Sequence, residues 1–181
     1  MIIDELQELE QESILRGIPI VGREKGFWLL QKIQEIKPQK ILELGTANGY
    51  SGIILGSQKG ELTTIEINEK IAAEAKENFR GFGINAHVIV GDGVVEVQKL
   101  AEKKKEFFDL IFIDFAKRKY LTVLEDCITL VKRNGFIIAD NITMEGCQDF
   151  KEAVLTHPKL KTEIINIKDG LSCSEKMSSL P

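Results

Sequence analysis

The chain has little with which to build a cysteine or histidine site: its 181 residues include three cysteines and two histidines. Cys127, Cys147 and Cys173 stand far apart with no C-x-x-C pair, so neither a disulfide framework nor a thiolate zinc site is indicated. They read as reduced residues without chemistry. His87 falls inside a strand pattern and His157 precedes Pro158 at a helix end, so both read as structural, and a Ser-His-Asp hydrolase lacks its base. Positive charge is not in excess either. A formal net charge of −4 argues against wholesale wrapping of nucleic acid. No apolar run reaches the roughly eighteen residues of a membrane span, and Met1-Ile2-Ile3-Asp4-Glu5 lacks the basic flank of a signal peptide. The expectation is a soluble cytoplasmic protein with no membrane partner, one domain over residues 1–181, without internal repeat or linker.

What the chain does have is concentrated in Ile41-Leu42-Glu43-Leu44-Gly45-Thr46-Ala47-Asn48-Gly49-Tyr50-Ser51-Gly52. A mostly apolar strand pattern breaks at Gly45 and Gly49, and a helical run through Ile53, Ile54 and Leu55 follows. Glycines in such a turn permit positive φ and remove Cβ atoms, so a ligand can lie against backbone at the start of the helix. The dinucleotide fingerprint needs G-x-G, and this loop places three residues between its first two glycines. The pattern E-x-G-x-x-x-G-x-S instead resembles motif I of the class I S-adenosylmethionine-dependent methyltransferases. About twenty residues on, the strand Thr63-Thr64-Ile65-Glu66-Ile67 places Glu66 where a carboxylate can accept both ribose hydroxyls. The alternative is an ordinary βα connection.

The rest of the chain alternates. Residues 2–16 read as an amphipathic helix ended by Gly17, Ile18 to Gly22 as an extended apolar loop shaped by Pro19, and a second helix runs through Phe27, Trp28, Leu30, Ile33 and Ile36 until Lys37-Pro38. Residues 1–36 are thus expected as N-terminal helices covering the active site. Then come strand 61–67, helix 69–82, strand 85–90, a helix opened by Gly91-Asp92-Gly93, and two apolar runs, 107–114 and 135–140, with the look of buried parallel strands. This is an α/β chain with right-handed βαβ units and helices on both faces of an open sheet, where ligands sit beyond the carboxyl ends of the strands.

Polar residues gather at those ends. Strand four closes on Asp114, with Lys117 three residues later, and strand five on Asp140-Asn141. Oxygen donors without nearby histidine or cysteine suit a hard cation such as Mg²⁺. Each has a structural alternative: Asp114 as a helix cap, Asp140-Asn141 as an Asx turn, and Lys117 as a solvated member of Lys117-Arg118-Lys119.

Asp114-Phe115-Ala116-Lys117 with Tyr120, then Asp140-Asn141, then Asp169-Gly170-Leu171, preceded by Pro19, Val21 and Gly26, resemble the metal-dependent O-methyltransferases of the catechol and caffeoyl-CoA type. The resemblance runs from about Pro19 to Lys176. It implies a Rossmann-like, doubly wound, mostly parallel seven-stranded sheet with the last strand antiparallel. It implies S-adenosylmethionine as cofactor with contacts at Glu43, Gly45, Gly49, Ser51, Glu66, Asp92 and Asp114, and a metal, Mg²⁺ or another divalent cation, on Asp114, Asp140 and Asn141. Lys117 would take the acceptor proton, Ser51 would meet the methionine carboxylate, and the partners would be a small hydroxylated acceptor and a second copy in a homodimer. Asp92 stands near the adenine or caps a helix, Phe115 packs on the adenine or fills core, and Glu163 matches a position that touches the acceptor's second hydroxyl.

The chemistry agrees with the resemblance. A sulfonium methyl is already activated, so the enzyme has mainly to deliver an oxygen nucleophile in line, and a divalent cation lowers the pKa of that oxygen and fixes its direction. The chain departs from the family in its short segment after Asn141 and short N-terminal region, which leaves the acceptor pocket less defined than the donor site. Competing readings are a relative acting on hydroxylated uridine in tRNA, for which Lys103-Lys104-Lys105 and Lys117-Arg118-Lys119 could meet phosphates, a nicotinamide-dependent dehydrogenase, and a non-catalytic nucleotide-binding protein.

Overall fold

Continuous apolar runs make the buried strands. Ile41, Leu42 and Leu44 of β1 (Lys40–Leu44) and Leu110 to Ile113 of β4 (Phe108–Ile113) are fully enclosed, as strands covered on both faces require. The computed structural model describes residues 1–178, and their contacts group into two compact units, Met1–Gly91 and Asp92 onward.

In the first unit the short helices α1 (Ile2–Glu5) and α2 (Gln7–Arg16) lead into α3 (Gly22–Ile36), β1, α4 (Tyr50–Gly56), β2 (Glu61–Glu66), α5 (Glu69–Gly81) and β3 (Ala86–Val90). The strands lie side by side in the order β3-β2-β1, all parallel. Gly17 ends α2 with φ 65° and Lys37 ends α3 with φ 50°, both as the sequence predicts. The single helix expected over 2–16 is instead broken at Leu6. Ile3 and Leu6, three apart and so on one helical face, both turn inward, and α2 buries Ser13 while Ile14 and Leu15 face solvent. The inward stripe is therefore Leu6 and Ser13, a helical spacing of seven, and the Ile14-Leu15 pair does not belong to the core.

The second unit holds α6 (Gly93–Lys103), β4, a 3₁₀ turn at Lys117–Lys119, α7 (Tyr120–Leu130), β5 (Val131–Asp140), a second 3₁₀ turn at Glu145–Cys147, α8 (Gln148–Thr156), β6 (Leu160–Ile165) and β7 (Leu171–Lys176). Its strand order is β4-β5-β7-β6, with β4 and β5 parallel and β7 antiparallel to both neighbours. Strand β5 starts earlier than the expected Gly135, through a register shift against β4 in which Asn134 takes φ 60°. The fold class is the one expected: among the described residues, seven strands in a Rossmann-like, mostly parallel sheet with the last strand antiparallel, and helices around it. Because β7 runs back against β5, Asp140 pairs with Leu171, as does Ile165 at the end of β6. The topology thus delivers the Asp169-Gly170 turn to the carboxyl end of β5. No helix among the described residues is long and apolar enough to cross a membrane.

Candidate functional site

The first unit carries the glycine loop. Gly45 and Gly49 take φ 98° and 95°, which an L side chain rarely adopts. A Cβ on Gly49 would also stand 3.1 Å from the Phe79 ring, and one on Gly52 2.7 Å from it. At Gly49, then, the missing side chain makes room for the Phe79 ring of α5.

Two acidic residues fix the loop. Glu66 ends β2 and accepts from the Ala47 N–H at 3.0 Å and the Asn68 N–H at 2.9 Å, one on each carboxylate oxygen. Each oxygen keeps a lone pair for another donor. The Gly45 and Thr46 N–H groups donate to Ile65 O, so Glu66 and the loop are held together through both main chain and side chain. Glu43, fully enclosed, accepts from Ser51 Oγ and Thr64 Oγ1, each at 2.6 Å. The Ser51 proton is therefore committed to Glu43.

Sequence reasoning missed two features here. Asn48, 1% exposed, donates from Nδ2 to Ser13 Oγ at 2.7 Å, and Ser13 in turn donates to Leu9 O. Helix α2 is thereby tied to the loop; the available signal was a serine on an otherwise apolar stripe. Ile67 and Val90, at the ends of β2 and β3, are 70% and 44% exposed, leaving apolar surface next to Glu66. An apolar residue directly after the strand-terminal acid was the clue. Gly26, from the Pro19-Val21-Gly26 motif, packs α3 on α4, since a Cβ there would meet Ile54 at 3.0 Å.

In the second unit Lys117 Nζ lies 2.5 Å from Asp114 Oδ1 and 5.5 Å from the centroid of the Tyr120 ring. Gly146 allows the second 3₁₀ turn to press on the stem of Lys117, since a Cβ there would stand 3.3 Å from Lys117 Cβ. Asp140 is 2% exposed and accepts from the Asn141 N–H at 2.7 Å. Asn141 takes φ 56° and donates from Nδ2 to Asp169 Oδ2 at 2.5 Å. Asp169 is held in place by Thr143, whose N–H and Oγ1 both donate to its carbonyl. The structure thus joins Asn141 to a third carboxylate, which the sequence had offered only as part of a motif.

Burial pushes the Tyr120 hydroxyl far up, and the charges of Asp114, Cys147, Asp140 and Asp169 push it the same way. Lys117 is the ammonium paired with Asp114, and Asn141 links Asp140 to Asp169. Among the described residues no three histidine, cysteine or carboxylate side chains close into a ready metal cage. Mg²⁺ does not require one, because it keeps several waters and takes one or two carboxylates. Hard oxygen donors with negative charge in excess of Lys117 fit such an ion.

The remaining candidates have other contacts. Asp92 caps α6, accepting from Val94 N–H at 2.8 Å, and pairs with Lys119 at 3.1 Å; the hydrogen bond from Lys119 holds its carboxyl below the usual range. Phe115 stacks parallel to Tyr120 at 5.7 Å, in space left by Gly93. Glu163 stands exposed on β6 opposite Cys173. His87 lies in β3, and His157 meets Glu125 at 3.0 Å at the end of α8.

Comparison with known proteins gives these features a context. Residues 1–177 match the family model described as O-methyltransferase. The chain is 32% identical over 170 residues to catechol O-methyltransferase B of Danio rerio, covering 85% of this chain and 64% of the zebrafish protein. It is 32% identical over 167 residues to catechol O-methyltransferase of Sus scrofa, covering 83% of this chain and 89% of the relative. A Staphylococcus aureus structure provisionally named a caffeoyl-CoA O-methyltransferase superposes with a TM-score of 0.83 at 29% identity, over 96% of this chain and 91% of that one. The O-methyltransferase from Bacillus cereus in complex with SAH shares the fold, with a TM-score of 0.84 at 24% identity over 96% and 90% of the two chains. The chain belongs to the O-methyltransferase family, in the class I S-adenosylmethionine-dependent group of the catechol and caffeoyl-CoA type.

Proposed function

We propose that the protein is an S-adenosylmethionine-dependent, divalent-metal-assisted O-methyltransferase for a small acceptor with adjacent oxygens, its two units acting as one methyltransferase domain. The reading assigns the donor to the first unit and the acceptor to the second. Glu66 takes the ribose hydroxyls, the loop from Gly45 to Ser51 takes the methionine end with Glu43 beneath it, and the apolar ends of β2 and β3 flank the adenine. Asp114, Asp140 and Asn141 would hold the cation. When bound, the cation lowers the pKa of an acceptor hydroxyl and accepts a second, neighbouring oxygen.

Lys117 takes the hydroxyl proton on Nζ. The freed oxygen forms the new bond to the methyl carbon as the carbon–sulfur bond breaks, and that electron pair stays on sulfur, which becomes a thioether. Asp114 keeps Nζ at the carboxylate cluster, and the Tyr120 ring lies under it. The observation that carries the reading is what stands at the carboxyl ends of β4 and β5: Lys117 on Asp114, and Asn141 bonded to both Asp140 and Asp169.

The tRNA alternative loses some support because three of the six basic residues it would use have partners within the chain: Lys104 over Phe107, Lys117 on Asp114 and Lys119 on Asp92. A cytoplasmic homodimer is the setting we propose, checked by light scattering. The function is tested with labelled donor and a catechol probe: transfer in Mg²⁺, none in EDTA, and a kcat lowered at least about 10²-fold by Lys117→Met with binding of S-adenosylhomocysteine unchanged. Undiminished transfer in EDTA would contradict the metal assignment.

A further inference from the structure

Asn78 stands three residues before the end of α5, inside a helix, where asparagine is a poor choice by propensity. It is half-buried, and its Nδ2 donates to the Asn48 carbonyl at 2.8 Å, thirty residues back in the chain. The ring of Phe79, next on α5, occupies the space that a Cβ on Gly49 or Gly52 would need. Two consecutive residues of one helix thus hold the glycine loop, one by an amide and one by a ring.

What the amide holds is a strained piece of backbone. Ala47 takes φ 45°, a left-handed conformation that costs free energy in a residue with a Cβ and persists only where surrounding contacts enforce it. Those contacts stand on both sides of the angle. Before it, the Ala47 N–H is bonded to Glu66 at 3.0 Å. After it, Asn48 is held twice, at its side chain by Ser13 and at its carbonyl by Asn78. The Gly49 N–H closes the turn on the Thr46 carbonyl at 2.9 Å.

We infer that Asn78 is a positioning residue for the methyl donor: through the Asn48 carbonyl it keeps the turn from Thr46 to Gly49 in its binding conformation before the donor arrives. The inference rests on the placement of the donor's methionine end on this loop. Asn78 acts through the loop, because a loop already ordered spares the binding step the free energy of ordering it. That gives a reason for an asparagine at a helix position that alanine would otherwise fill better.

The test is Asn78→Ala in the full chain, with S-adenosylhomocysteine as the probe. Alanine removes the bond but favours the helix, so the melting temperature of the ligand-free protein is expected to stay within about 2 °C of wild type. Affinity measured by calorimetry is expected to fall about three- to tenfold, the loss of one hydrogen bond. By hydrogen exchange, the Ala47 amide of the ligand-free wild type should be protected at least about tenfold, and in the variant it should exchange about three- to tenfold faster than in wild type while amides in the middle of α5 keep their rates. A lower melting temperature with unchanged affinity makes the bond one of stability alone and overturns the inference, as does a loss of affinity with Ala47 exchange unaltered; both leave the donor on this loop. A wild type that binds no S-adenosylhomocysteine at millimolar concentration overturns the donor assignment as well. Should the variant fail to fold, the wild type decides, since an unprotected Ala47 amide contradicts a loop set in advance.

Discussion

The Ala47 N–H donates to Glu66 Oε2 at 3.0 Å, so the turn after β1 and the end of β2 form one bonded unit across nineteen residues of chain. Replacing Glu66 therefore removes more than a ligand contact. Glu66→Ala is expected to weaken binding of S-adenosylhomocysteine by about ten- to a hundredfold, equivalent to about 1.4–3 kcal/mol for hydrogen bonds to a charged acceptor. Calorimetry measures it, and unchanged affinity would remove Glu66 from the donor site.

Ser13 should affect donor binding without touching the donor. Ser13→Ala takes away the acceptor of the Asn48 amide, which stays enclosed, and leaving such a donor unsatisfied costs about 1–3 kcal/mol. The expected result is a lower melting temperature together with a several-fold weaker affinity for S-adenosylhomocysteine. A variant with the wild-type melting temperature would show that the α2 tie carries no stability.

Both tyrosines should resist ionisation. Burial first, then the charge of Glu10, pushes Tyr50 up to about 12, and burial with its surrounding acids pushes Tyr120 up as well. A phenol whose folded pKa lies above its unfolded value near 10 contributes stability that is fully present below pH 10 and is lost as pH rises through the folded value. Absorbance at alkaline pH should therefore show no tyrosinate near pH 10 in the native protein, with ionisation appearing alongside unfolding at higher pH. A native titration centred at 10 would contradict the enclosed hydroxyls.

Much of this architecture could be read from the residues. Apolar runs at 41–44 and 108–113 gave the buried strands, and Gly17 and Lys37-Pro38 gave helix ends, because local backbone chemistry decides those features. The candidate residues at strand ends were chosen by the rule on where α/β sheets bind ligands. What escaped were relations set by tertiary contact. Periodicity over 2–16 could not reveal that Leu6 would break the helix and that Ser13 would be buried in place of Ile14 and Leu15. Nor could it reveal that Asp169 would reach Asn141, since that depends on the antiparallel return of β7, or that the bare face of Gly49 would be spent on Phe79.

The measurement closest to the central claim pairs two assays on Asp140→Ala. The account predicts methyl transfer to a catechol probe falling to background in Mg²⁺ while affinity for S-adenosylhomocysteine stays within about twofold of wild type, since Asp140 serves the cation and not the nucleoside. Transfer that persists at the wild-type rate in this variant would contradict it.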